Sequence, residues 1–215
     1  MSVGKHERGL LVVSYLEEQA HSSVRRLLGW AEDLGVDLAR SVLDSEYETF
    51  SVLQGDDASY KDFIDRIEDL TANSDLKALD VFLLVHGDPS GPIFKNGTVS
   101  AQHIRDDLKN QSSKDVLRAL YSSACYGASH NPFFIQGGFR VASGAVGVNA
   151  NGTAEYPLFL KQWRGERTFK SSINAIPAVV TEAHDLIARA LGFSDADSTK
   201  RIAGRSYTKI TTPAD

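Results

Sequence analysis

Disulfides and membrane spans are both missing from this sequence of 215 residues. Its single cysteine, Cys125, cannot form a disulfide within the chain, and a fold without disulfides suits a reducing compartment. No apolar run approaches the length of about 20 residues that a bilayer-spanning helix needs. The first residues lack the pattern of a signal peptide. The sequence therefore predicts a cytoplasmic protein that does not enter a membrane.

Long runs of basic residues and metal-ligand spacings are missing as well. The chain has 23 Lys and Arg against 28 Asp and Glu, a net charge of -5. Nucleic-acid surfaces need clustered basic side chains, so no nucleic-acid partner is expected. Apart from His86, the histidines show no zinc spacing with each other or with carboxylates; they are His6, His21, His103, His130 and His184. The sequence predicts neither a metal site nor a cofactor.

Composition and periodicity indicate an ordinary globular α/β protein. Hydrophobic residues make up 42% of the chain and charged residues 24%, which predicts one domain over residues 1–215 with a partly disordered tail at 205–215. Apolar runs predict strands at 10–13, 48–54, 81–85, 116–124 and 141–148. Helical spacing lies between and after them, at 22–34, 59–70, 100–108, 156–164 and 171–191, with a break near Pro177. This alternation predicts a mostly parallel central sheet with helices on both faces.

Two of these strands end in residues that could react together. The strand at 81–85 runs into His86-Gly87, and the strand at 116–124 runs into Cys125. In open α/β sheets, ligands bind beyond the carboxyl ends of the strands, so both side chains are expected at one edge. An imidazole can take the proton of a thiol and so activate it as a nucleophile. The backbone N–H groups of Gly87 and Cys125 are predicted to form an oxyanion hole.

Other interpretations of the same residues remain open. Taken alone, Cys125 is more often a small core residue and His86 a hydrogen-bonded strand-end histidine. The spacing Ser123-x-Cys125-x-Gly127 imitates the nucleophile elbow of an α/β-hydrolase, but that fold would need a histidine after the nucleophile, His130 or His184. A further alternative is a catalytically silent module that binds a peptide or a regulatory partner along a sheet edge.

The order and context of the two motifs resemble the caspase-like cysteine peptidase group, which includes caspases, metacaspases, legumains, gingipains, separase and CHAT-domain proteins. The resemblance rests on the strand ending in His86-Gly87-Asp88, the later strand ending in Ser123-Ala124-Cys125-Tyr126-Gly127, and a hairpin-like segment at 91–100 between them. It implies a three-layer caspase-like fold and a cysteine endopeptidase acting on a protein or peptide. Cys125 would be the nucleophile and His86 the base and acid.

The same resemblance suggests where a substrate would bind. Ser123, two residues before the nucleophile, would line the pocket for the residue before the scissile bond, with its preference unresolved. Ser143 and Gly144 lie in the next strand, at 141–145, whose edge would receive the substrate backbone by strand addition. Glu155 would project into the same pocket and favour Arg or Lys.

The resemblance also allows for self-processing. Group members are often made in latent forms that are cut or rearranged on activation. The irregular loop expected at 130–138 and the segment at 149–155 would be exposed enough to be clipped. The sequence leaves open whether the chain is latent or already active, and which signal would activate it.

Overall fold

A six-stranded sheet organises the chain. The structure is a computed structural model that describes residues 2–16, 25–72, 75–111 and 114–214, and it describes no side chains at 25–31 and 114. The strands are β1 (Arg8–Tyr15), β2 (Thr49–Gln54), β3 (Ala78–Val85), β4 (Gly87–Asp88), β5 (Gly91–Phe94), β6 (Gly97–Thr98), β7 (Leu117–Ser122), β8 (Val141–Ala145) and β9 (Lys200–Gly204). The main sheet has the order β2-β1-β3-β7-β8-β9, and β4, β5 and β6 form a small separate sheet.

Helices cover both faces of the main sheet. They are α1 (Arg25–Leu43), α2 (Tyr60–Thr71), α3 (Ala101–Asn110), α4 (Gly127–Gln136), α5 (Gly152–Arg164), α6 (Phe169–Ile173) and α7 (Ala178–Ala190). Side chains of α2, α3 and α4 join one apolar cluster, and those of α1, α5 and α6 join another. Because successive residues of a strand point to opposite faces, β3 contributes Val81 and Leu83 to the first cluster and Phe82 and Leu84 to the second. The expectation of three layers is confirmed.

Strand direction explains where a site can form. β2, β1, β3, β7 and β8 are parallel to their neighbours, and only β9 pairs antiparallel, along the outer edge of β8. Every residue of β1 and β3 is buried, as expected for central strands covered on both faces. Leu83 of β3 pairs with Ser122 of β7. The carboxyl ends of these two strands therefore lie side by side.

Several boundaries differ from the sequence-based prediction. Residues 22–24, where the first helix was expected to begin, lie outside the described residues, and α1 continues to Leu43. The prediction of a loop at 130–138 is wrong, because most of these residues belong to α4. His130 and Phe134 are buried there, and this burial overrides the breaking tendency of Pro132 and the following glycines. The break near Pro177 is confirmed, since Pro177 caps the start of α7.

The carboxyl-terminal segment packs against the domain, which differs from the expected partial disorder. Thr208 and Ile210 are almost fully buried. The guanidinium of Arg118 donates hydrogen bonds to the carbonyl oxygens of Ile210 and Thr212. A buried guanidinium has five N–H donors to satisfy, so the tail supplies acceptors that the sheet lacks. That the whole chain forms a single domain stays a prediction.

A buried polar network joins the two central strands near their amino ends. Arg118 of β7 donates to both carboxylate oxygens of Asp80 on β3, at 2.9 and 2.7 Å. The hydroxyl of Tyr47 donates to Asp80 at 2.5 Å and accepts from the Trp163 indole at 2.9 Å. Burial opposes the charge on Arg118, but the adjacent Asp80 outweighs it and raises the pKa of Arg118. The pair is fully buried and fully hydrogen-bonded, the condition under which such pairs are tolerated.

Among the described residues, no helix combines the length and the apolar character needed to cross a membrane.

Replacing Arg118 with Met should destabilise the fold strongly, because it leaves the Asp80 carboxylate buried without its cation. Breaking a buried pair in this way typically costs about 3 to 5 kcal/mol. The free energy of unfolding, measured by urea denaturation, checks this. Lys61→Ala is the control, because it removes an ion pair with Asp65 that is exposed to solvent and should change stability little. A wild-type urea midpoint for Arg118→Met would contradict the assigned role of the network.

Candidate active site

His86 and Cys125 stand at adjacent strand ends. His86 directly follows β3, and Cys125 lies in the short turn between β7 and α4. Tyr126 caps α4 in the left-handed conformation, with φ of 56°, and its N–H donates to the Gly147 carbonyl at 2.9 Å. This sharp turn places the thiol close to the amino end of α4, where the helix dipole favours a negative charge.

A pocket of about 270 Å³ adjoins both residues. Ser123 also lines it, as the sequence predicted for the residue two before the nucleophile. The remaining walls come from the end of β1, from α1, from β3, from the turn after β8 and from α5. They are formed by Leu16, Leu34, Gly35, Leu38, Leu84, Val85, Asn149, Ala150, Gly152, Thr153, Tyr156 and Pro157.

The hydrogen bonding of His86 fixes its tautomer. Its Nε2 atom lies 3.0 Å from the carbonyl oxygen of Leu16, just past the end of β1. A carbonyl oxygen only accepts hydrogen bonds, so Nε2 is assigned the proton. In the neutral ring the lone pair is then on Nδ1, which is the atom able to accept a proton. The Leu16 carbonyl also holds the ring in one orientation.

Opposing influences act on the Cys125 thiol. Burial raises its pKa, while the backbone N–H of Asn149 and the charge of Lys200 act in the opposite direction. The Asn149 N–H donates to Sγ over 3.4 Å, and the Asn149 side-chain amide donates to the Ser123 carbonyl at 2.8 Å. The net result is a raised pKa, so the free thiol is favoured in the resting structure.

Lys200 and Glu155 form a buried ion pair beside the nucleophile turn. The Lys200 ammonium lies 3.7 Å from Glu155 Oε2 and donates to the Ser122 carbonyl at 2.8 Å. Burial lowers the pKa of Lys200 and raises the pKa of Glu155, and in both cases the partner's charge acts against the effect of burial. Since Ser122 is the last residue of β7, this pair ties the edge strand β9 to the strand that carries Cys125.

Gly87 lies against the backbone of the nucleophile turn. A Cβ atom at this position would be 2.7 Å from the Cys125 carbonyl oxygen and 2.9 Å from the Ala124 Cβ. Such distances are shorter than van der Waals contact, so only glycine allows the hairpin of β4 and β5 to approach so closely. The predicted oxyanion-hole residues, Gly87 and Cys125, are therefore neighbours in space.

Comparison of the sequence with protein-family models and with curated proteins gives no match, but solved structures match over almost the whole chain. The Arg-specific cysteine proteinase gingipain R matches with a TM-score of 0.65 and 12% identity, over 98% of this chain and 49% of that one. Caspase-1 from Spodoptera frugiperda matches with a TM-score of 0.62 and 12% identity, over 94% and 87%. Its precursor form gives 0.59 and 12%, over 94% and 92%.

The fold is that of the caspase-like cysteine peptidases. The chain spans about half the length of the gingipain structure that it matches. The expected caspase-like architecture is thereby confirmed at the level of the fold, whereas the roles of individual residues stay predictions.

The structure does not support the predicted strand addition along β8, and the substrate-binding roles of Ser143 and Gly144 stay predictions. In this caspase-like sheet β8 pairs with β7 on one side and with β9 on the other, so it has no free edge to receive a peptide. Ser143 is completely buried. Gly144 packs against Gly127, where an added Cβ would lie 2.3 Å from the Gly127 carbonyl carbon. The edge strand β9, which the sequence analysis did not identify, covers the outer edge of β8. Both residues therefore contribute to the packing of β8.

Glu155 is also placed differently from the prediction. It is 1% exposed and pairs with Lys200, whereas the next residue, Tyr156, is the one that lines the pocket. Neighbouring residues of a helix point about 100° apart, so the start of α5 turns the carboxylate away from the pocket. Glu155 therefore does not offer a charge to a substrate side chain there.

The histidines that an α/β-hydrolase would need lie elsewhere. The Nε2 atom of His130 is 2.7 Å from the Asp88 carbonyl oxygen, and the Nδ1 atom of His184 is 2.8 Å from the Val180 carbonyl oxygen within α7. Neither histidine lines the pocket beside Cys125, and His86 does. Within the described part of the chain, no group of three His, Cys, Asp or Glu is arranged to hold a metal ion.

Three contributors were missed by the sequence analysis. Leu16 acts through its backbone carbonyl, which leaves no mark in the sequence. Asn149 contacts Cys125 mainly through its backbone N–H. Lys200 belongs to β9, a short strand at the sheet edge. The sequence of β9 is largely polar and lacks the apolar periodicity that would have indicated a strand.

Replacing Lys200 with Met should raise the pKa of the Cys125 thiol, because a positive charge that favours the thiolate is removed. Alkylation by iodoacetamide at neutral pH should become slower, and its pH profile should move upward. The double variant Glu155→Gln with Lys200→Met should show the same shift without leaving a buried unpaired carboxylate. Lys161→Met, on the exposed face of α5, is the control. A downward shift would disprove the assigned influence of Lys200.

Replacing Gly87 with Ala should displace the nucleophile turn, because the new methyl group collides with the Cys125 carbonyl. We expect at least about a tenfold slower alkylation of Cys125 or peptide turnover, about 1.4 kcal/mol in the barrier, with a folded circular dichroism spectrum. Gly97→Ala offers a comparison in the same hairpin region, where a Cβ meets nothing within 4 Å, although its positive φ adds local strain. Unchanged reactivity in Gly87→Ala would contradict the close approach.

Proposed function

We propose that the protein is a cysteine endopeptidase in which Cys125 is the nucleophile and His86 is the general base and acid. The observation that supports this most directly is that both residues line one pocket at the carboxyl ends of neighbouring parallel strands. Chemistry and position agree, since a thiol needs a nearby base and open α/β sheets bind ligands at this edge. The substrate would be a protein or a peptide.

The hydrogen bonds suggest how the protons move. When a peptide carbonyl approaches Sγ, Nδ1 of His86 takes the thiol proton and the thiolate attacks the carbonyl carbon. The oxygen that becomes negative is stabilised by the N–H groups of Gly87 and Cys125. As the tetrahedral intermediate collapses, the imidazolium gives its proton to the leaving amine, and a thioester joins Cys125 to the acyl group. His86 then takes a proton from water, whose oxygen attacks the thioester. The bond between the acyl carbon and the sulfur breaks, His86 returns its proton to the departing Cys125 sulfur, and the acid is released.

The carbonyl of Leu16 assists this cycle. While His86 carries a second proton, the ring bears a positive charge, and the carbonyl oxygen at Nε2 stabilises it. The third member of the site would thus be a backbone oxygen, and no acidic side chain is required.

Self-processing at the two segments considered from the sequence finds no support. Residues 130–136 belong to α4, and residues 152–155 begin α5. Asn151 and Glu155 are almost fully buried. Cleavage requires an extended and accessible backbone, and these two segments do not present one over their helical parts.

A catalytically silent module that binds a peptide or a regulatory partner is the second candidate. It is favoured by the raised pKa of Cys125, which burial causes, because a thiol that stays protonated does not attack. The two candidates share the pocket and differ in whether a bond is cut.

Hydrolysis of a fluorogenic peptide library by wild type, Cys125→Ala and His86→Ala tests the proposal. Loss of either residue should lower turnover by about 100-fold to 10,000-fold or more, the usual contribution of general acid–base catalysis. His184→Ala is the matched control, because this histidine lies on α7 away from the pocket, and it should retain activity. Peptide binding without cleavage by folded wild type would favour the silent module, and full activity in His86→Ala would refute the dyad.

A further inference from the structure

The pocket beside Cys125 has mainly apolar walls. Leu34 and Leu38 project from α1, Leu84 from β3, and Tyr156 and Pro157 from α5. At Gly35, an added Cβ would lie 2.9 Å from the Leu84 side chain. Helix α1 therefore packs closely on the sheet at this wall of the pocket. Among the described residues that line the pocket there is no Asp, Glu, Lys or Arg.

Several polar groups in the pocket lie beside the nucleophile, and Thr153 and Tyr156 of α5 add hydroxyl groups to its wall. His86 is hydrogen-bonded to the Leu16 carbonyl, and Asn149 donates to Cys125 and to the Ser123 carbonyl. Two further polar atoms of residues that line the pocket, Asn149 Oδ1 and the Tyr156 hydroxyl, are buried without a hydrogen-bond partner among the described residues. The part of the pocket farther from the sulfur, between α1 and α5, offers apolar contact.

The apolar walls of the pocket continue into the two apolar clusters that flank the sheet. Phe94 of the hairpin that carries Gly87 belongs to the apolar cluster beneath α2, α3 and α4, whereas Leu84 and Tyr156 of the pocket belong to the cluster beneath α1 and α5. Val85, the last residue of β3, also lines the pocket and belongs to the first cluster. The pocket therefore lies at the end of β3, with Leu84 and Tyr156 contributing walls from the second face.

We propose that this pocket binds an apolar side chain, such as that of Leu, Met or Phe, on the residue before the scissile bond. The inference rests on the proposed function and specifies its substrate class. A volume of about 270 Å³ lies just below the range of about 300 to 1,000 Å³ for pockets that hold whole drug-sized ligands, which suits one large side chain.

Burial energetics give the expected selectivity. Apolar surface is stabilised when it leaves water, and each additional methylene in such a pocket changes specificity by about 10-fold to 200-fold. A charged side chain would lose its hydration without finding a partner among the described residues. The specificity of gingipain R for Arg is therefore not expected for this chain.

The experiment uses peptides that are identical except for Leu, Met, Phe, Asp, Arg or Lys before the scissile bond, together with the matching peptide aldehydes. We expect kcat/KM for the apolar residues to exceed that for the charged ones by at least about tenfold, and the aldehydes to inhibit in the same order. Preference for Asp overturns the inference. Preference for Arg or Lys also overturns it, and would mean that a carboxylate from outside the described residues reaches the pocket.

A charge placed at the rim of the pocket provides a second measurement. Leu34 is 43% exposed, so Leu34→Asp should not disrupt the core. It should raise the ratio of Arg to Leu cleavage by about tenfold, since a carboxylate now faces a cationic side chain. Val179→Asp on α7 is the control, because Val179 is 73% exposed and does not line the pocket. Equal ratios in the two variants overturn the inference.

Reaction of Cys125 with iodoacetamide distinguishes a failure of the apolar preference from a failure of the proposed peptidase function. Cleavage of peptides with only charged residues at this position refutes the apolar preference and leaves the peptidase intact. If no peptide is cut, no aldehyde binds, and Cys125 reacts no faster than in His86→Ala, then the proposed function fails and the inference fails with it.

Discussion

The parallel pairing of β3 with β7 is the constraint on which the rest of the structure depends. These strands carry His86 and Cys125 at their carboxyl ends, and their register places Leu83 opposite Ser122. Because side chains alternate between the faces of a sheet, a slip of one residue would turn one reactive strand end to the wrong face. The candidate site can form only if this register is unique.

The ion pair of Asp80 and Arg118 links the two strands near their opposite end, where the register of β3 and β7 shifts between Leu79 and Asp80. A salt bridge in the core gives little net stability, because desolvation offsets the attraction, but it strongly disfavours arrangements that separate the charges. Asp80 precedes His86 by six residues, which at about 3.3 Å per residue is about 20 Å along the strand. The polar network can therefore align the strands without contacting the reacting groups, and the tail completes it by accepting hydrogen bonds from Arg118.

Apolar runs explain why the centre of this fold could be predicted from the sequence and its periphery could not. β1, β3 and β7 are buried on both faces, so their sequences are mainly hydrophobic, and the residues that follow β3 and β7 were identified as candidates. β9 is a polar edge strand, and its pairing with β8 depends on tertiary contacts, so its coverage of Ser143 and Gly144 was missed. The direction of the Glu155 side chain could not be predicted from the sequence either. Adjacent positions of α5 place Tyr156 at the pocket and Glu155 beside Lys200. Backbone contributors such as the Leu16 carbonyl carry no sequence signal at all.

The environment of Cys125 connects the electrostatics of the site to the order of its proposed chemistry. Burial raises the pKa of the thiol despite the Asn149 N–H and the charge of Lys200. An apolar substrate side chain entering the pocket would expel more water from the sulfur, and this disfavours the thiolate further. In the proposed mechanism, the proton would therefore pass to Nδ1 of His86 as the sulfur attacks. The negative charge would move to the carbonyl oxygen, where the N–H groups of Gly87 and Cys125 would stabilise it. If an apolar pocket keeps the thiol protonated, the base has to be held where it can take the proton during the attack.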